Sequence, residues 1–182
     1  MKYLFIFIIF LILGCGSSSI IVAPSDESMA LDSLIVENNF IIASDWASPQ
    51  VTASMVAIAN SGLLGVGNNA NNINLIGNPN FLKFEGDTIS AYLPYFGERQ
   101  MGGGYGTSSA IEFKGTPNNL NIEKDNKKQL YRIRFNIQGD DIETYNVMVD
   151  LYPNKTSFIT INSSQRFPIR YQGNVAPIEK EE

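Results

Sequence analysis

The chain has 182 residues, 44% of them hydrophobic, with 8 Tyr and 11 Phe, which is enough apolar material for one domain with a real core. It contains no histidine, which excludes Ser-His-Asp and Cys-His catalysis, histidine-based zinc or iron sites and histidine pH switching. A formal net charge of −5, with no basic run longer than Lys127-Lys128, excludes nucleic acid as a partner, because phosphate recognition needs a basic footprint.

Lys2 followed by the apolar run Tyr3 to Leu13 has the form of a signal peptide and is too short to span a membrane. Residues 1–14 are therefore set apart from the fold. The run ends in Ile12-Leu13-Gly14-Cys15, which resembles the lipobox of bacterial lipoproteins, where the cysteine is acylated and becomes the new N-terminus. Cys15 is the single cysteine of the chain, so no internal disulfide forms, and acylation accounts for its presence. Several acyl chains hold a protein stably on a membrane, each buried methylene adding about 0.8 kcal/mol. Residues 15–27 form the lipidated Cys and linker. No Asp directly follows Cys15 and no acidic cluster comes after it. By resemblance to lipoprotein sorting rules this places the protein on the outer membrane facing the periplasm, with the cell surface as the alternative.

One domain is expected over residues 28–175, ahead of a charged tail at 176–182. Ser25 is placed to cap a helix from Asp26 to about Asn38, with Met29, Leu31, Leu34 and Ile35 on its apolar side. Phe40 to Ala43 reads as a strand, and Trp46 after it as a core or rim packing residue. Val51 to Ala59 suits a strand or a buried turn of helix, and the strand is preferred. Gly65-Val66-Gly67-Asn68-Asn69-Ala70 matches G-x-G-x-x-A, but the N-N-A-N-N-I-N that follows supplies no βαβ unit. It reads as a glycine- and asparagine-rich connection.

Phe81 to Phe84 and Ile89 to Leu93 read as strands joined by a tight Glu85-Gly86-Asp87 hairpin, with pairing expected to stop at Pro94. The loop beyond it is aromatic and glycine-rich. Ile111 and Phe113, and then Leu120 and Ile122, alternate with polar residues. Tyr131, Ile133, Phe135 and Ile137 alternate with Arg132, Arg134 and Asn136 in the cleanest amphipathic strand of the chain. Tyr145 to Leu151, Phe158 to Ile161, and Phe167, Ile169 and Tyr171 complete the set. Short strands divided by polar turns indicate a mainly β protein, an antiparallel sandwich or barrel-like sheet with one N-terminal helix.

Y-L-P-Y-F-G at Tyr92 to Gly97, A-I-E-F at Ala110 to Phe113 and I-N-S-S-Q-R-F-P-I-R-Y-Q-G at Ile161 to Gly173 resemble the domain of unknown function 4251 family. Its members are mostly predicted lipoproteins or secreted proteins of one Gram-negative phylum. The family usually places Arg directly after F-G, whereas here Glu98 precedes Arg99. The resemblance implies fold and location and carries no activity.

Any enzyme built from this chain works without histidine, so Asp45, Glu98 and Asp140-Asp141 are the acidic candidates. Nothing in the sequence brings two of them to one cleft, as glycosidase-type chemistry requires, and no activity is expected. No cofactor or metal is expected either, since Asp140-Asp141 lacks the spacing of a calcium loop. A binding module is the stronger reading. Tyr92, Tyr95, Phe96 and Tyr105, with Arg99 as a charged donor, form a candidate platform for an envelope protein or glycan; the competing reading has Tyr95 and Phe96 capping the core. A small-ligand carrier, with the glycine loop as the mouth of a barrel, is the alternative. Asp32-Ser33-Leu34 and Asp87-Thr88-Ile89 resemble the short sequon of O-glycosylation in that phylum, making Ser33 and Thr88 candidate modification sites.

Overall fold

The computed structural model describes residues 23–101, 109–139 and 142–179. Cys15, Tyr105, Gly102 to Gly106, Asp140-Asp141 and the end of the charged tail lie outside the described residues.

Helix α1 (Asp26–Glu37) begins where expected. The Ser25 hydroxyl accepts a hydrogen bond from the Ser28 amide at 3.2 Å, and Asp26 and Glu27 face the positive end of the helix dipole. Asn38, in the left-handed region at φ 46°, closes the helix. The chain then forms β1 (Asn39–Pro49), helix α2 (Ala53–Asn60), β2 (Ile73–Asn74), β3 (Phe81–Glu85) and β4 (Thr88–Pro94). After these come β5 (Ala110–Gly115), β6 (Asn118–Asp125), β7 (Leu130–Gln138), β8 (Thr144–Leu151), β9 (Thr156–Ser163) and β10 (Ile169–Pro177).

The strands make one antiparallel sheet in the order β5-β4-β3-β1-β10-β9-β8-β7-β6, with β2 added to β1. The sheet curls into a half-barrel, the barrel-like form of the two expected, and among the described residues there is no second sheet to make a sandwich. The curl brings Phe113 of β5 to Phe135 of β7 and Tyr145 of β8, with ring centroids 6.4 and 5.6 Å apart. Only Thr116 and Pro117 separate β5, paired with β4, from β6, paired with β7, so the chain itself passes from one edge of the curl to the other.

Inside, Phe40 stacks on Phe84 at 4.5 Å, and Phe84 meets Phe135 edge-on at 6.0 Å from the facing wall. Ile42, Leu82, Leu93, Ile133, Val147, Ile159 and Tyr171 fill the remaining interior, so the concave face is a packed core. Helix α1 lies over the open side. Its Leu31 and Ile35 enter the core, Asp32 takes Lys124 Nζ at 2.6 Å and the Tyr131 hydroxyl at 2.8 Å, and Asn38 Nδ2 donates to the Gly86 carbonyl at 2.7 Å. The helix thus ties β6 and β7 to the β3–β4 hairpin.

Three expectations need correction. Most of the preferred Val51 to Ala59 strand, from Ala53 on, belongs to α2, a second helix. The Thr52 hydroxyl caps it by accepting from the Met55 amide at 3.2 Å, and Ala53, Ala57 and Ala59 favour the helix. The last strand starts at Ile169, without Phe167, and runs on to Pro177. Leu120 and Ile122 alternate as expected yet stay exposed, by 43% and 40%, unlike Ile111 and Phe113 on the other edge strand.

Strand β1 joins the two halves of the sheet, pairing β3 on one side and β10 on the other. Its register with β10 shifts between Ser44 and Trp46, and there β1 presses onto Gly173. A Cβ on Gly173 falls 1.9 Å from the Ala43 carbonyl oxygen and 2.5 Å from Ser44 Cα, so only glycine fits. Gly173→Ala is expected to destabilise the fold by about 3 kcal/mol or more, read as a lower urea midpoint with unchanged slope. A second expectation concerns acid. The hydrogen bond from Lys124 is the main cause that holds the Asp32 carboxyl below its usual 3.8, so its stabilisation is present above that value and is lost as pH falls through the lower folded one. Asp32→Asn is therefore expected to be less stable than the parent near neutrality and to converge with it as the pH drops well below 3.8, as followed by thermal unfolding.

Candidate functional site

Two of the sequence's distinctive segments meet at the end of the barrel away from the β3–β4 hairpin. β4 ends at Pro94, paired with Ala110, and β9 ends at Ser163. The chains beyond them run side by side: the Gln100 amide donates to the Gln165 carbonyl at 2.7 Å, the Phe167 amide to the Glu98 carbonyl at 3.2 Å, and Arg99 bridges Arg166 through the backbone.

Beneath them lies a buried ion pair. Arg166 Nε donates to both oxygens of Glu143, at 3.0 and 3.1 Å, with each side chain only 3% exposed. The Ser163 hydroxyl donates to the same carboxylate, and Arg166 Nη1 reaches the Ser109 carbonyl at 3.4 Å. The guanidinium also stands 5.1 Å from the centre of the Tyr95 ring, a cation–π contact. The Tyr95 hydroxyl shares its proton between the carbonyls of Glu98, at 2.9 Å, and Phe167, at 3.1 Å, while the Tyr171 hydroxyl donates to the Pro94 carbonyl at 2.9 Å. Burial raises the Tyr95, Tyr145 and Tyr171 hydroxyls above their ordinary value, so all three act as neutral donors. Gly97 sits at φ +149° with its absent side chain 2.7 Å from the Tyr95 hydroxyl, which lets the loop fold back over the ring.

This geometry divides the candidate aromatic platform. Tyr95 and Phe96 are half-buried and pack on the core. Tyr92 points the other way, 40% exposed on the outer face of β4, beside Phe81 and Glu112 in register. Arg99 is half-buried in the bridge to Arg166. Of the acidic candidates, Asp45 and Glu98 are among the described residues and stand on separate elements. Asp45 accepts from Asn174 at 3.0 Å, and Glu98 accepts from Thr52 at the start of α2. Hydrogen bonds from Thr52 and then Ser54 hold the Glu98 carboxyl below its usual range. Ser33 is exposed on α1 with its hydroxyl donating to the Met29 carbonyl at 3.1 Å, and Thr88 is half-buried opposite Glu85. Glu143 was not singled out in the sequence, where I-E-T after Asp141 has the look of a solvated turn.

Through Thr52 and Glu98 the same end of the barrel carries α2 and the turns after it. Met55 is buried, and Leu64 and Ala70 pack on the core. Val51, Val56, Ile58, Leu63 and Val66 are exposed, Leu63 by 79%. Between Asp45 and Lys83 no residue carries a charge. The sequence offers a strand over Val51 to Ala59 and a glycine- and asparagine-rich connection after it; the missing charges are its available signal for the exposed surface.

The Domain of unknown function (DUF4251) family matches residues 24–175, most of the chain. The protein belongs to the DUF4251 family. Its fold is similar to that of the crystal structure of a DUF4251 family protein from Bacteroides eggerthii, with a TM-score of 0.56 at 13% identity, covering 83% of this chain and 87% of that one. No curated protein matches the sequence. In this DUF4251 protein, then, Y-L-P-Y-F-G and S-S-Q-R-F-P are the two halves of one interlock: each supplies carbonyls or rings to the other around a sealed ion pair.

Removing one member of such a pair strands a buried charge. Arg166→Met is expected to cost about 3–5 kcal/mol in urea unfolding, and adding Glu143→Gln in the same chain to recover a substantial part of that loss.

Proposed function

We propose that this DUF4251 protein is a lipid-anchored envelope component, held through Cys15 on the outer membrane and facing the periplasm, that acts as a non-enzymatic binding or structural module. The observation that carries the reading is the exposed, uncharged apolar surface of α2 and residues 61–67, held on a rigid barrel end. Exposed apolar patches of this kind mark contact surfaces on proteins that are otherwise well packed. The loop that follows Y-L-P-Y-F-G serves that surface from behind, since Glu98 fixes Thr52 at its root. A non-enzymatic role is supported by the acidic groups themselves: Glu143 is sealed against Arg166, and Asp45 and Glu98 are engaged in hydrogen bonds on separate elements.

A cleft of about 600 Å³ between α1 and the β8–β9 turn favours a second reading, the small-ligand carrier. Leu31, Leu34, Val175 and Pro153 line it. It lies beside α1 and not at the Y-L-P-Y-F-G end.

The test expresses the full chain in a Gram-negative host. The mature protein is expected to begin at Cys15 and to carry the added mass of acyl chains, which Cys15→Ser abolishes. Chemical cross-linking in whole envelopes is then expected to join the α2 surface to a neighbour in the parent chain. The joint variant Leu63→Asp/Val66→Asp should lose that cross-link while keeping its unfolding midpoint, as both side chains are exposed. Equal cross-linking by parent and variant refutes the assignment of the surface.

A further inference from the structure

Helix α2 breaks a general rule of surface helices. A helix on a soluble domain turns one apolar stripe inward and a polar face outward, and one that is apolar all round is buried. Here Met55 alone is buried, while Ala53, Val56, Ala57 and Ile58 face outward. Val56 and Ile58 are two positions apart, which sets their side chains about 200° apart around the helix axis. Exposed by 41% and 38%, they flank the buried Met55, so the apolar surface continues on both sides of the line where the helix sits on the barrel.

The charge pattern points the same way. Placing a charged side chain in a bilayer costs several kcal/mol, and even the rim of a protein interface ordinarily contains charges. From Trp46 through Leu82 there is none. The turns beyond α2 add Leu63 and Val66, both strongly exposed, so the apolar surface extends past the helix end.

The chain outside the described domain supplies the proximity. The eleven residues from Cys15 to Ser25 reach at most roughly 40 Å when extended. β1, with 11 residues, carries the chain about 35 Å from the end of α1 to the root of α2. An anchor at Cys15 therefore lets the barrel lie along the leaflet with α2 touching it.

We propose that α2 and residues 61–67 insert shallowly into the lipid bilayer that holds the protein, by burial of Val56, Ile58, Leu63 and Val66 with no electrostatic contribution. The proposal rests on the reading of this excursion as the working surface and names its partner. Binding of this kind is insensitive to salt and to lipid headgroup charge, unlike adsorption by basic residues.

The test uses the full chain with Cys15→Ser and Leu63→Cys, whose only thiol then lies at position 63 and carries a fluorophore. It is mixed with phosphatidylcholine vesicles that contain spin-labelled acyl chains. A second chain carries the label at Lys114→Cys, an exposed position on the outer face of β5. Contact through the leader brings the whole protein near the lipid in both chains, so only the difference between the sites reports on α2. Quenching at position 63 is expected to exceed that at 114 at least fivefold, to be unchanged in 0.5 M salt, and to fall severalfold when Val56→Asp and Val66→Asp are added. Equal quenching at the two sites, or none at 63, overturns the bilayer as partner. If position 63 is then still cross-linked to an envelope protein, the working surface stands and its partner is that protein. If it meets neither lipid nor protein, the reading of the surface falls as well.

Discussion

Two opposite charges, Glu143 and Arg166, are sealed from water at one end of the barrel, and the loops around them are arranged to keep them paired. Unpaired, either Glu143 or Arg166 is intolerable there. Their pairing fixes the position of β8's entry, β9's exit and the loop after β4 relative to one another. Tyr95 then lies over the guanidinium, its hydroxyl holds two carbonyls from the loops above, and Thr52 is tied down through Glu98. A chain of polar contacts thus runs from the centre of the barrel end to the root of a helix that is itself almost entirely apolar.

The two ends of the barrel solve different problems. At one, α1 bridges the open side of the curl, using Asp32 to gather Lys124 and Tyr131 and Asn38 to hold the β3–β4 hairpin. Burial, followed by the hydrogen bond to Asp32, pushes the Tyr131 hydroxyl up to about 12, so the link stays protonated across the neutral range. At the other end the loops lock onto one another and leave α2 standing out. The interior between them is filled by aromatic and branched side chains, which leaves surfaces and clefts, and not a lumen, as places to work.

Much of the fold was legible because the sheet has one filled face. Tyr131 to Ile137 alternates with arginines and asparagine because β7 faces the core on one side and water on the other, and the Glu85-Gly86-Asp87 turn announces its hairpin. α2 was missed because Val51 to Ala59 mixes branched and small residues in a way that satisfies either period. Its local signal was Thr52, three residues before the amide it caps. The ion pair was illegible for a different reason. Glu143 and Arg166 are 23 positions apart in chain segments that look like turns, and only the three-dimensional crossing of the two loops makes their burial necessary. The motif residues Tyr95 and Arg166 gave the one hint, and the sequence could not distinguish a binding platform from an interlock.

β1 and β10 are the first and last strands of the domain, and they pair along nearly their whole lengths, from Phe40 with Pro177 to Pro49 with Ile169. Until the C-terminal strand is available, β1 lacks its partner on that side, and the β3–β5 and β6–β9 meanders have no shared strand to join them. Contacts so distant in sequence form slowly and late. The barrel therefore cannot close before its last strand is present, which makes the C-terminal residues the ones that commit the whole sheet.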